Sequence, residues 1–157
     1  MNKKPIRHKH LRRLAQIHVT QPVYFITASV FKRRDVLAND HAWSILKDEW
    51  SNALSRHQWA IGRYVIMPDH VHFFCSAAGS DKPLSAFMKQ WKQWTSKRLV
   101  RECNLQPPIW QAEFFDHVLR SDESRSEKWL YVRDNPVRAG LVKTAEDWNY
   151  QGWIDFP

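Results

Sequence analysis

Cysteine is nearly absent from this chain of 157 residues, occurring only as Cys75 and Cys103. Two thiols cannot build the disulfide framework of a small secreted domain, and they exclude a zinc site made of cysteines. No apolar run approaches the ~18 residues that a membrane helix requires. The N-terminus lacks the hydrophobic stretch of a secretion signal, and residues 1–13 contain no acid. There is no internal repeat and no low-complexity tract. These absences point to a soluble, cytoplasmic protein with one domain over residues 1–157.

What the chain does contain is basic charge and tryptophan. Twenty-four Lys and Arg against 16 Asp and Glu leave a formal charge of +8. A polyanion is the natural partner, because such cations displace condensed counterions from a phosphate backbone; an inert basic surface is the plainer alternative. Residues 1–20 form a basic arm with Lys3, Lys4, Arg7, Arg12 and Arg13. An arm of this kind tracks phosphates or stays a solvated tail. With 43% apolar and 25% charged residues the remainder is globular. Most of the nine Trp should then be core.

Residues 23–30 read as a first strand, rich in β-branched and aromatic side chains. Over 39–57, Trp43, Leu46, Trp50 and Leu54 recur at helical steps behind an N-cap at Asn39 or Asp40. Strands at 59–67 and 71–77 flank the turn Met67-Pro68-Asp69-His70 and should make a hairpin. A second helix carries Leu84, Phe87, Met88, Trp91, Thr95 and Leu99 on one face, with Pro83 near its start. Residues 104–108 are a loop and 114–119 a short fourth strand. Ser124-Arg125-Ser126-Glu127 has the capping-box pattern and predicts a third helix through Tyr131, which Pro136 should end near Asn135. Residues 137–157 should pack back on the body. The succession predicts an α+β fold of the ferredoxin-like (RRM-like) kind, an antiparallel sheet with helices on one face.

Two features carry candidate chemistry. In His70-Val71-His72, residues i and i+2 of a strand project from one face about 6.6 Å apart. Two imidazoles so placed can share an ion while Val71 points the other way; the alternative is a pair of ordinary polar positions. Tyr131 and Asn135, four apart, share a helical face. An Asn carbonyl can ligate an ion beside the tyrosine; the alternative is a core aromatic and a helix cap. Attack by tyrosine on a polyanion needs an activated phenol (reference pKa near 10), neutralised phosphate oxygens and groups that grip the strand. Arg133 and Arg138 flank the helix end as candidate phosphate contacts. On the second helix Lys92 and Trp94 are candidate DNA contacts, whereas Trp91 belongs to the core. Asp116-His117 either supplies a further ligand, orients His70 or His72, or is a structural pair.

Met67-Pro68-Asp69-His70-Val71-His72 is followed by Ile109-Trp110-Gln111 and by Phe114-Phe115-Asp116-His117-Val118-Leu119-Arg120. Tyr131-Val132-Arg133-Asp134-Asn135-Pro136 and the residues up to Val142 complete the series. Taken in order, these blocks resemble the single-tyrosine HUH transposases, above all their REP-associated tyrosine transposase branch. The resemblance runs from about Tyr24 to about Trp148. It implies that His70 and His72 match the family's metal-binding histidines, Asn135 its further polar ligand and Tyr131 its nucleophile. It implies cleavage of single-stranded DNA beside a hairpin, through a 5′-phosphotyrosine link and a free 3′-hydroxyl. Rejoining then needs no ATP or other nucleotide cofactor. The expected cofactor is a divalent metal, Mg2+ or Mn2+; the family is expected to use the former, and imidazole ligands suit the latter. A short chain disfavours a replication initiator with added domains, and a tail folded back on the body favours a monomer over a dimer. The alternative function is a domesticated relative that binds hairpin DNA or structured RNA without cutting.

Overall fold

Five strands form one antiparallel sheet in the spatial order β4-β1-β3-β2-β5. The computed structural model describes residues 22–157, so the basic arm with Lys3, Lys4, Arg7, Arg12 and Arg13 lies outside the described residues. In chain order the elements are β1 (Val23–Ser29), α1 (Asp40–His57), β2 (Trp59–Ile66), β3 (His70–Ala77), α2 (Leu84–Cys103) and β4 (Phe115–Leu119). These six give the β-α-β-β-α-β succession of a ferredoxin-like fold. After them come α3 (Asp122–Arg133), the single turn α4 (Asn135–Arg138) and β5 (Gln151–Trp153). No helix in the described residues is long and apolar enough to cross a membrane.

Local chemistry sets the element ends. Asn39 caps α1 through its side-chain oxygen, which accepts from the Ala42 amide at 2.9 Å. Helix α3 begins earlier than its sequence suggests. Its N-cap is Ser121, whose hydroxyl accepts from the Ser124 amide at 3.1 Å while the Ser124 hydroxyl accepts from the Ser121 amide. Serine at the third helical position thus closes the box that a glutamate would otherwise close. At the other end the helix stops at Arg133, and Pro136 sits in the first turn of α4, where its missing N–H costs nothing. Gly140, at φ +73°, closes α4: its amide donates to Val137 and that of Leu141 to Pro136.

The period-two alternation of the strands builds two cores. Tyr24, Ile26, Ala28, Ile61, Tyr64, Val71, Phe73 and Cys75 face α1 and α2. Val23, Phe25, Ala60, Val65 and Phe74 face the other way and pack with Trp129 and Val132 of α3. The fold class is as expected, but the helices are not all on one face: α1 and α2 share a side, and α3 covers the opposite one. A further helix was free to go there because these strands are apolar on both sides.

Aromatic rings dominate the larger core. Trp50 is fully buried, with ring centroids 4.8 Å from Tyr64, 5.2 Å from Phe73 and 5.9 Å from Trp91. The C-terminal tail returns as expected. β5 pairs with β2, the Trp148 indole donates to the Ile66 carbonyl, and the Phe156 ring occupies the space a Cβ on Gly62 would need. Trp50→Ala should cost about 3–5 kcal/mol of stability, read from denaturant unfolding; a loss under about 1 kcal/mol would show that this ring cluster does not hold the helical layer in place.

Candidate active site

His70 and His72 stand on the sheet face that α3 covers, and Val71 between them is buried in the opposite core. Their Nε2 atoms face each other at 3.2 Å, with the rings nearly perpendicular. The Nδ1 atoms point away from that contact and are both held. Asp69 Oδ1 lies 2.6 Å from His70 Nδ1, and Thr27 Oγ1 lies 2.8 Å from His72 Nδ1. Arg33 in turn donates from Nε to the other Asp69 oxygen at 2.8 Å. Hydrogen bonds from His70 and Arg33 keep the Asp69 carboxyl below its ordinary pKa, although burial, the largest single influence, acts to raise it. An ionised Asp69 favours the His70 tautomer with its hydrogen on Nδ1, in which Nε2 carries the lone pair.

His72 is driven the same way by a different cause. Burial lowers its pKa to about 3, and the positive charges of Lys128, Arg138 and Arg33 act in the same direction. It is therefore neutral around pH 7. In the tautomer that gives Nδ1–H to Thr27, its Nε2 also presents a lone pair. Two such nitrogens repel unless a proton or a cation lies between them. A separation of 3.2 Å suits an ion about 2.1 Å from each. The donor set therefore fits a divalent ion. No group of three or more His, Cys, Asp and Glu in the described residues is arranged to hold one; Asn135, whose side-chain carbonyl is a further oxygen donor, lines the same cleft.

The cleft has a volume of about 410 Å³. Tyr131, Asn135, Lys128 and Arg138 line it together with the two histidines and the apolar Phe25, Met67 and Val132. Tyr131 is 64% exposed, so its ring is open to a ligand of macromolecular size. The Arg138 guanidinium lies 4.1 Å from the centre of that ring, donates to the Tyr131 carbonyl at 2.8 Å and bonds Asn135 Oδ1. A carbonyl oxygen has two lone pairs, so Asn135 Oδ1 keeps one free. Lys128 projects its ammonium over Phe25, 4.8 Å from the ring centre, and Phe25 stacks on His72.

The structure thus brings His70, His72, Tyr131, Asn135 and Arg138 together, and it separates the others. Arg133 is half-buried beside Arg63 rather than in the cleft. Lys92 lies on α2 and holds loop carbonyls, donating to Gln111 and Glu113 at 2.8 Å each, so its ammonium is engaged structurally. Trp94, also on α2, is exposed between Arg56 and Lys97 on the side away from the cleft. Asp116 pairs with Ile26 and so faces the α1–α2 side, near Cys75, whose thiol pKa is raised by burial and then by this charge. His117, opposite Phe25, is on the site face, but the orienting positions behind the histidines are taken by Asp69 and Thr27. Three contributors are new relative to the sequence reading. Lys128 is three residues before Tyr131, a spacing that puts both on one helical face. Asp69 adjoins His70 in a segment that reads as a turn. Thr27 has no local signal, because only strand pairing brings it to His72.

The model of a family described as IS200-like transposase matches residues 18–133. An Escherichia coli REP-associated tyrosine transposase is 25% identical over 127 residues, covering 81% of this chain and 73% of its own. A Haemophilus influenzae protein that bears the same name provisionally is 22% identical over 140 residues, covering 83% of this chain and 79% of its own. Among solved structures, a REP-associated tyrosine transposase bound to a REP hairpin superposes with a TM-score of 0.69 at 23% identity, covering 83% of this chain and 75% of its own.

Orientation of the imidazoles by Thr27 and Asp69 has a measurable consequence. Thr27→Val and Asp69→Asn should each weaken Mn2+ binding about 10- to 100-fold in titration calorimetry, with little change in melting temperature. Wild-type affinity in both variants would mean that these bonds do not prepare the pair for an ion.

Proposed function

Because this chain belongs to the IS200-like transposase family, we propose that it cleaves and rejoins single-stranded DNA beside a hairpin, with Tyr131 as the nucleophile. The observation that carries the proposal is that Tyr131 and the facing Nε2 pair of His70 and His72 line one cleft. The Tyr131 oxygen attacks the phosphorus and loses its proton to solvent. A bond from phosphorus to that oxygen forms as the bond to the 3′-oxygen breaks. The 3′-oxygen takes up a proton and leaves as a hydroxyl, while the 5′ side stays linked to the tyrosine. Attack by a 3′-hydroxyl on this link reverses the exchange. One phosphodiester replaces another, so no nucleotide cofactor is required.

His70, His72 and Asn135 would hold a divalent ion, which neutralises the phosphate oxygens. The two imidazoles suit Mn2+ better than Mg2+. Arg138 and Lys128 add positive charge at the same place. Arg138 also packs against the Tyr131 ring and bonds Asn135, so one side chain positions both nucleophile and ligand. Tyr131 and the histidine pair line one cleft of the same chain, the arrangement a monomer would need.

The test uses a hairpin oligonucleotide with a single-stranded extension and Mn2+. Wild type should give a covalent protein–DNA adduct on a denaturing gel, Tyr131→Phe none, and His70→Ala a yield lower on the order of 100-fold. If wild type binds the hairpin and yields no adduct, the chain is a binding module and the cleavage reading is wrong.

A further inference from the structure

Strand β4 turns two consecutive phenylalanines to opposite faces of the sheet. Phe114, just before it, packs against the α1–α2 core. Phe115 projects from the site face and is 61% exposed. It pairs with Thr27, and Thr27 pairs with His72, so the three form one row across the sheet. Strands lie about 4.8 Å apart, which puts the Phe115 backbone roughly 10 Å from that of His72. His117, the next residue on that face, is exposed and pairs with Phe25, the ring beneath the Lys128 ammonium.

A single exposed apolar ring is ordinary; its support and position set this one apart. The chain entering β4 is pinned by Lys92, which holds the Gln111 and Glu113 carbonyls and lies over the Phe114 ring. The Gln111 amide also donates to Ser29. Phe115 is therefore presented on a fixed backbone, and a ligand that stacks on it loses little binding energy to ordering.

We propose that Phe115 is a stacking platform for an unpaired nucleobase adjoining the phosphate held between Tyr131 and the histidines. The proposal rests on the cleft being a single-stranded DNA site. Every base has a π-face, so an open ring on a sheet accepts bases with little regard to sequence. The platform would hold the strand flat across Thr27 and deliver its phosphate to the cleft without reading the base.

Fluorescence anisotropy with a hairpin carrying a single-stranded extension, and with the same hairpin trimmed blunt, tests this. Phe115→Ala should weaken binding of the extended form by about 5- to 150-fold, the range base–aromatic stacking carries, and leave the blunt form unchanged. Phe115→Leu, apolar but without a ring, should lose as much; Phe115→Trp should retain affinity. An extension base replaced by 2-aminopurine should be quenched by wild type and not by Phe115→Ala. Affinity of both Ala and Leu variants within about two-fold of wild type would overturn the proposal, as would an equal loss for the blunt hairpin. So would a dimer that dissociates on substitution, because the ring would then serve contact between two copies along the β4 edge. Adduct formation by wild type separates the two readings. An adduct with no Phe115 effect removes the platform alone, and a Phe115 effect without an adduct removes cleavage alone.

Discussion

Thr27 opposite His72 and Ala28 opposite Val71 are pairings through which β1 and β3 hold the core and the cleft together. Side chains alternate along a strand, so one register serves both faces. Val71, Phe73 and Cys75 enter the aromatic core under α1 and α2, and His70, His72 and Phe74 face the other way. A slip of one residue would drive both imidazoles into the core and expel Phe73. The same slip would part His72 from Thr27, the group that orients its ring. The large buried area on one face therefore guards the geometry of the small polar group on the other.

The electrostatics of the cleft follow from that placement. Burial keeps His72 neutral, and the surrounding cations push in the same direction. Asp69 stays ionised through its bonds to His70 and Arg33. The result is a facing pair of imidazole nitrogens with positive side chains around them. An acid on the histidine side orients a ring rather than competing for the anion.

The break between α3 and α4 matters as much as either helix. Asp134 carries the turn, Pro136 starts the next one, and Gly140 closes it after four residues. Asn135 and Arg138 of this turn lie beside Tyr131, with Arg138 donating to the Tyr131 carbonyl. Since α3 lies opposite α1 and α2, this break also forms the wall of a cleft whose floor is the sheet.

Strands β1 to β4, α1, α2, the hairpin at Pro68-Asp69 and the stop at Pro136 were legible in the sequence, because each is written in a short window of apolar spacing and capping chemistry, whereas β5 was not. So was the possibility that His70 and His72 act as a pair, since alternation on a strand requires it. The choice of face for α3 was not, because strands apolar on both sides accept a helix on either. Nor was the role of Lys92, Thr27 or Asp116. Lys92 meets its carbonyl partners about twenty residues along the chain, and Thr27 meets His72 across 45. Asp116 is turned from the cleft by the register of β4 alone. The sequence by itself determined which elements form and which residue types are available for chemistry. Only the tertiary structure decided which of them share a surface, because that depends on strand pairings and helix packing between segments with no local mark of their meeting.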